Sequence, residues 1–246
     1  MKPVRKILLK VLGLTGYYSL VSRIYIFLVA NGLVKRKYPE IFYLREMIKP
    51  GFYCIDIGAN MGYYSYFLSK YSGHQGKVFA VEPVPLFAEI LKKNISTSGY
   101  NNVELLPYAL GEKNQQVKMG TPVVDGIIHH GMTRITTTER PDFVQYYDAE
   151  MRVPDELFKD LQRLDFIKCD VEGYEHYVFG NMLNLIQKFK PIIQTELSNP
   201  EGREKVKQML NDIGYHCFLL NQKDQLVPLE DAIGENYSTD YYFINK

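Results

Sequence analysis

From Pro50 onward, the apolar positions fall into short blocks separated by longer, helically spaced stretches. The blocks Tyr53–Ile57, Lys77–Val81, Val103–Leu106, Phe166–Cys169 and Pro191–Leu197 are too short for helices and predict buried strands. Met61–Tyr71, Pro85–Ser98, Glu175–Phe189 and Glu201–Asp212 read as helices. Pro85 suits a first turn, and Gly99 and Gly214 suit positions just past a helix end. Tyr215–Leu220 and Tyr241–Ile244 supply two last strands, close enough in sequence to pair antiparallel. Strands alternating with helices call for a parallel sheet covered on both faces. The expected fold is therefore α/β, with a doubly wound, mostly parallel seven-stranded sheet and an antiparallel last strand.

Two regions break this rhythm. Near the start, Ile7–Leu14 is apolar but interrupted by Lys10, and Ile24–Val34 is the longest nearly apolar run. Each is shorter than the ~20 residues of a membrane-spanning helix, so both read as amphipathic or core helices. Residues 1–45 are thus expected to form an N-terminal helical extension ahead of a domain over 46–246. Gly111–Pro154 is polar, rich in glycine and threonine, and without a strong period. It reads as an inserted loop near the mouth of a site, where it would gate or select substrate.

Composition narrows the class. The 246 residues are 46% hydrophobic and 23% charged, enough to fill a core, which excludes a disordered tail, a collagen-like fibre or a small disulfide scaffold. Cys54, Cys169 and Cys217 are scattered and odd in number, which argues against a structural zinc site and for a reducing compartment. The expected location is cytoplasmic, where the sequons at Asn94 and Asn236 carry no meaning. The net charge of +1 hides an asymmetry: residues 1–50 hold ten Lys/Arg against Glu40 and Glu46, so +8, and the rest carries −7. A basic arm on an acidic body suggests peripheral contact with an anionic membrane surface through residues 1–50, or plain neutralisation of its own body.

In an open α/β sheet, ligands bind beyond the carboxyl ends of the strands. Those ends read Asp56, Glu82, Asp170 and Glu196, an acidic rim that repels phosphate and favours a cationic ligand. The first turn, Asp56-Ile57-Gly58-Ala59-Asn60-Met61-Gly62, places glycines where a backbone can bend tightly and approach a ligand. Glu82 stands twenty residues beyond Gly62, where a carboxylate can accept both hydroxyls of a ribose. A nicotinamide dinucleotide would also use a ribose, but GxGxxG is absent and Asp56 would serve a pyrophosphate poorly. S-adenosylmethionine, with a sulfonium and an amino group and no phosphate, suits the rim better.

With GFYCIDIGANMGYYS, VFAVEP and NNVELLPYALG over 51–110, DFIKCDVEGYEHYVFGN at 165–181 and PIIQTEL at 191–197, the chain resembles the FkbM family of class I methyltransferases. The match covers roughly residues 45–200. The resemblance implies S-adenosylmethionine as cofactor and O-methylation of a sugar or another natural-product hydroxyl. It implies that Asp56, Gly58, Asn60 and Gly62 surround the methionine part, that Glu82 holds the ribose, and that Tyr108 and Ala109 lie near the adenine.

Methyl transfer to oxygen is an in-line displacement that benefits from a base. Asp170 or Glu172 is the expected base, and Glu196 is expected to orient the acceptor. Those three carboxylates could also hold Mg²⁺. The alternative for Glu172 and Glu175 is favourable charge at a helix N-terminus. His176 is read as structural. The acceptor is expected to be a small molecule or glycan precursor. A nucleic-acid methyltransferase and a cofactor-binding, non-catalytic partner in polysaccharide assembly are the competing readings. An acidic body that repels phosphate backbones weighs against the first.

Overall fold

The computed structural model describes residues 2–124, 127–136, 138–234 and 237–245. The central strands are β1 (Tyr53–Ile57), β2 (Lys77–Val81), β3 (Val103–Leu106), β9 (Phe166–Cys169) and β10 (Ile192–Glu196), all parallel. They are joined by β11 (Tyr215–Asn221), β12 (Leu226–Pro228) and β13 (Tyr237–Asn245) in the order β12-β11-β13-β10-β9-β1-β2-β3. The last strand inserts antiparallel between β10 and β11, as its closeness in sequence to β11 suggests. An eighth strand, β12, extends the seven expected, because Asn221–Gln225 turns the chain back into a hairpin on the edge of β11.

Alternation along these strands feeds two cores. Ile55, Ile57, Val81, Ile167 and Cys169 join Leu157 of α5 (Pro154–Leu157), Val178 and Phe179 of α6 (Glu175–Gly180), Ile186 of α7 (Leu183–Phe189), and Val206 and Leu210 of α8 (Pro200–Asp212). Their neighbours Cys54, Val78 and Phe166 face the other way, onto α3 (Tyr63–Ser72). Helices thus cover both faces, which is why the strands read as apolar runs. Ile26 and Val29 of α1 (Lys2–Ala30), and Ile41, Leu44 and Met47 of α2 (Pro39–Met47), belong to that second core.

α1 is two helices that meet at a kink, where Gly13 takes the non-helical values φ 65° and ψ −179°. Its Ile7–Ala30 stretch has mean hydropathy 1.3 and is long and apolar enough to cross a membrane by length and composition alone. The small residues Gly13, Thr15 and Gly16, which split the apolar pattern in sequence, lie at and just past this break. Asn94, on α4 (Pro85–Ile95), is fully buried and donates to Ser22 Oγ at 3.0 Å and to the Met61 carbonyl at 2.8 Å. The other sequon asparagine, Asn236, lies outside the described residues.

The larger correction concerns residues 111–154. This segment is not a loop: β5 (Gln115–Val124), β6 (Ile127–Ile128), β7 (Arg134–Thr136) and β8 (Phe143–Arg152) make a second sheet with β4 (Tyr108–Leu110). The chain leaves the first sheet at Leu106 and enters the second at Tyr108, with β4 running parallel to β8. Val117, Met119 and Thr121 alternate along β5, and Phe143, Tyr147, Ala149 and Met151 along β8. Met119, Ala149 and α1's Tyr18 share a small core with Phe87 of α4.

Candidate functional site

The chain runs from β1 toward β2 and β3 on one side, and β9 and β10 lie on the other, so strand order reverses between β1 and β9. A crevice is expected there, at the strands' carboxyl ends. Gly58, with φ 78°, closes this junction: a Cβ on it would stand 1.9 Å from the Asp170 carbonyl oxygen. The position needs glycine because the backbone leaving β9 crosses against it. The N–H groups of Gly58 and Ala59 both donate to the Val81 carbonyl at 3.0 Å, which ties the turn to the end of β2. Gly62 is likewise set by packing, since a Cβ there would meet Leu91 Cγ at 2.8 Å. At both positions the missing Cβ makes room for the protein's own atoms, a requirement separate from the expected approach to a ligand.

Glu82 is buried behind this turn. One carboxylate oxygen accepts from the Asn60 N–H at 2.7 Å and the other from the Val84 N–H at 2.8 Å. Burial nonetheless pushes its pKa up to about 7. A carboxylate oxygen can accept two bonds, so each retains a free lone pair for a hydroxyl. Asn60 takes the left-handed conformation, φ 50°, and its Oδ1 accepts from the Met61 N–H at 2.8 Å. Asparagine is among the few residues that tolerate this region.

The second carboxylate group follows β9. Glu172 is also left-handed, φ 54°. The turn is fixed by buried Glu175, whose Oε1 accepts from the N–H groups of Val171 at 3.1 Å and Gly173 at 3.0 Å. A strained residue persists when its surroundings over-determine it, and such residues gather at working sites. Burial, reinforced by the charges of Asp170, Glu196 and Glu175, raises Glu172 to about 7, against a lowering pull from Arg134 of β7. Burial also raises Asp170.

Gly58, Asn60, Glu82, Tyr108, Ala109, Asp170 and Glu172 line one pocket. Among its described lining residues three are acidic and none is Lys or Arg. Asp56 and Gly62 stand behind it. Asp56 is buried and accepts a hydrogen bond from Ser65 Oγ of α3, so it braces the turn from below. Glu196 lies beside the pocket, on the rim of a neighbouring groove with Glu40, Arg36 and Lys37. The sequence reading did not foresee the apolar wall of Phe87, Met119 and Ile135, nor Thr133 and Tyr174. Alternation along residues 115–124 was the available signal. Among the described residues no group of three or more His, Cys, Asp or Glu is arranged to hold a metal ion, so the suggestion of Mg²⁺ at Asp170, Glu172 and Glu196 has no support.

A buried ion pair beneath the site was also not anticipated. Lys168 Nζ on β9 lies 3.2 Å from Asp240 on β13, and Gln194 of β10 donates to the same carboxylate oxygen at 2.6 Å. Burial would lower the lysine pKa, but Asp240, Asp170 and Glu196 outweigh it and raise it. Lysine inside the otherwise apolar strand Phe166–Cys169 was the visible clue.

Residues 56–222 match the description Methyltransferase FkbM domain. The chain belongs to the FkbM methyltransferase family. It is also similar to solved class I methyltransferase folds. A methyltransferase FkbM from Methylobacillus flagellatus KT is 17% identical, with 80% of this chain and 48% of that chain covered and a TM-score of 0.50. A putative rRNA methylase from Clostridium thermocellum is 11% identical over 83% of this chain and 91% of that one, with a TM-score of 0.51. Both likenesses concern the fold. A protein-L-isoaspartate O-methyltransferase of Methanococcus maripaludis is 40% identical over 52 residues, 21% of this chain and 24% of that protein. The chain thus spans about a quarter of the length of the curated relatives it matches.

Family membership makes S-adenosylmethionine the cofactor to test against this pocket, and the residues fit it. Glu82 keeps lone pairs for hydroxyls, Tyr108 and Ala109 line the same pocket, and an acidic lining without Lys or Arg among the described residues suits a sulfonium and an ammonium.

Proposed function

We propose that this FkbM family member is an S-adenosylmethionine-dependent O-methyltransferase acting on a hydroxyl of a sugar, glycan precursor or related small molecule. The observation that carries this reading is Glu172, held left-handed beside Asp170 in the pocket that also contains Glu82, with its carboxyl raised to about 7. A base works best when its pKa lies near the working pH, and contributes about 10²–10⁴-fold. Bound, the cofactor supplies a methyl group on a positively charged sulfur. Glu82 and Asn60 would fix its position. Glu172, with Asp170, would take the acceptor's proton as the new C–O bond forms and the methyl–sulfur bond breaks, its electron pair staying on the departing neutral thioether. Glu196, at the rim of the adjoining groove, orients the rest of the acceptor. Holding the two reactants in line supplies much of the rate. The first sheet's strand ends hold the donor, and the second sheet contributes Met119 and Ile135 to the facing wall, with Thr133 just before β7.

The test is calorimetric titration of the protein and of Glu82→Ala with S-adenosylmethionine and, separately, NAD⁺. Binding of the methyl donor alone, lost in the variant, supports the reading and leads to screening sugar acceptors by methyl transfer. Binding of NAD⁺, or of neither, overturns it. An acceptor screen that yields only methylated RNA, with steep salt dependence, would move the substrate to nucleic acid.

A further inference from the structure

The exposed apolar side chains of this protein are concentrated in one place. Among the described residues, eight of the eleven large exposed hydrophobics lie between positions 7 and 33: Ile7, Val11, Leu12, Leu20, Val21, Ile24, Phe27 and Leu33. Contiguous exposed apolar surface of this kind marks an interaction site. In the second half of α1 the arrangement is two-sided. Tyr18, Ser22, Ile26 and Val29 are buried against the body, at near-fourfold spacing. Leu20, Ile24 and Phe27, at i, i+4 and i+7, point away from it, with Phe27 61% exposed. Beyond the kink at Gly13, Ile7 and Val11 repeat the i, i+4 pattern and are 63% and 74% exposed.

The charges that accompany this face have one sign. No Asp or Glu occurs before Glu40, and Lys10, Arg23, Arg36 and Lys37 are exposed along or just past the helix. Lys35 alone among the Lys35–Lys37 run reaches a carboxylate of the body, Asp224 at 2.6 Å. We infer that the outward face of α1 docks this protein on an anionic lipid bilayer surface, with Leu20, Ile24 and Phe27 entering the acyl boundary and the basic residues meeting the headgroups. Amphipathic helices with an apolar face and Lys/Arg partners lie in the interface in this way.

Two other occupants fit less well. The length of Ile7–Ala30 would allow it to span a bilayer, but Gly13 breaks the helix within it, and Tyr18, Ser22, Ile26 and Val29 are buried against the body. Ser22 and Asn94 hydrogen-bond to each other, and Ile26 and Val29 share a core with Leu44 and Tyr242, so spanning would strip that core. A second copy of the chain would bring two +8 segments together. An anionic surface satisfies both the apolar and the charged features, and each basic residue held there contributes about fivefold in binding.

The inference stands apart from the proposed chemistry, so each can fail alone. The test is flotation of the full chain with vesicles of phosphatidylcholine and with mixed phosphatidylcholine–phosphatidylglycerol vesicles. The protein is expected to float with the anionic vesicles and much less with the neutral ones, and to be released by alkaline carbonate. Ile24→Asp/Phe27→Asp is expected to lower the bound fraction at least tenfold. Arg36→Glu/Lys37→Glu is expected to lower it more at low salt than at high salt. Both pairs are exposed, so circular dichroism and S-adenosylmethionine binding should match the parent and exclude unfolding as the cause. Three results would overturn docking: failure to float with either vesicle, retention after carbonate (a spanning helix), or a lipid-free dimer in sedimentation that Ile24→Asp/Phe27→Asp dissociates.

Discussion

Replacing Glu82 with glutamine keeps the side chain's shape and turns one oxygen into an NH₂ group. In the structure both oxygens already accept backbone N–H bonds, from Asn60 at 2.7 Å and from Val84 at 2.8 Å. The amide nitrogen would have to face one of those donors, leaving a buried N–H without a partner, at about 1–3 kcal/mol. Removing a carboxylate that burial already disfavours offsets part of this, so the net loss should fall near 1–2 kcal/mol. For a chain of this length that lowers the melting temperature by roughly 2–8 °C. The effect on S-adenosylmethionine is larger. A hydrogen bond from a ribose hydroxyl to a charged acceptor is worth about 1.5–3 kcal/mol, so losing one weakens binding by roughly 10–100-fold.

The pH dependence has a definite sign. With Glu82 raised to about 7, acid protonates the carboxyl and removes its charge. Affinity of the parent should therefore fall as pH drops below about 7, by up to about tenfold per unit. The glutamine variant should show no such slope from this position. Scanning calorimetry gives the stability and titration calorimetry at several pH values gives the affinity. An unchanged melting temperature together with affinity within twofold of the parent would refute the geometry drawn for Glu82.

Gly58→Ala should be among the most damaging single changes, because the left-handed φ costs about 1–2 kcal/mol before its Cβ meets the Asp170 carbonyl. A urea-denaturation loss of at least about 4 kcal/mol is expected, and one below about 1 kcal/mol would contradict the close packing of the turn after β1 against the backbone leaving β9. Gly62→Ala should be milder, since Leu91 is a side chain that can shift. Glu172→Gln should lower kcat by about 10²–10⁴-fold with donor affinity unchanged. The parent's rate should rise with pH through about 7 as Glu172 loses its proton, and this limb should vanish in the variant. Lys168→Met leaves Asp240 buried without its cation and should destabilise by about 3–5 kcal/mol, while Lys168→Met with Asp240→Leu should recover most of that loss in denaturant titration.

The central strands were readable because both their faces are buried, which writes them as apolar runs such as Val78–Val81 and Ile167 with Cys169. The second sheet was not. Its strands alternate, but Gly120, Pro122 and paired threonines blur the period, and β5 finds β8 only in three dimensions. Strand ends located most of the candidate site, yet alternation along β1 could have separated its members. Asp56 shares a face with Cys54 rather than with Ile55 and Ile57, so it points toward α3 and Ser65. Glu196 was placed correctly at a strand end, but its cross-strand partner is Asp240 and its open side is a different groove. A last strand returning between β10 and β11 is a long-range pairing that local patterns do not report.

The second sheet also bears on how easily this architecture changes. Asp165, one residue before β9, accepts the Tyr53 N–H across 112 positions of chain, and residues 111–154 account for much of that distance. The entropy of closing a loop grows only with the logarithm of its length. Shortening the segment between the two central strands by these residues would therefore ease their meeting by only about 0.4 kcal/mol. Folding is thus nearly indifferent to how much chain is spliced in at this point. The wall opposite the strand ends can be lengthened, trimmed or exchanged while β1 and β9 still find each other, which makes it the part of the molecule most open to evolutionary and engineered diversification.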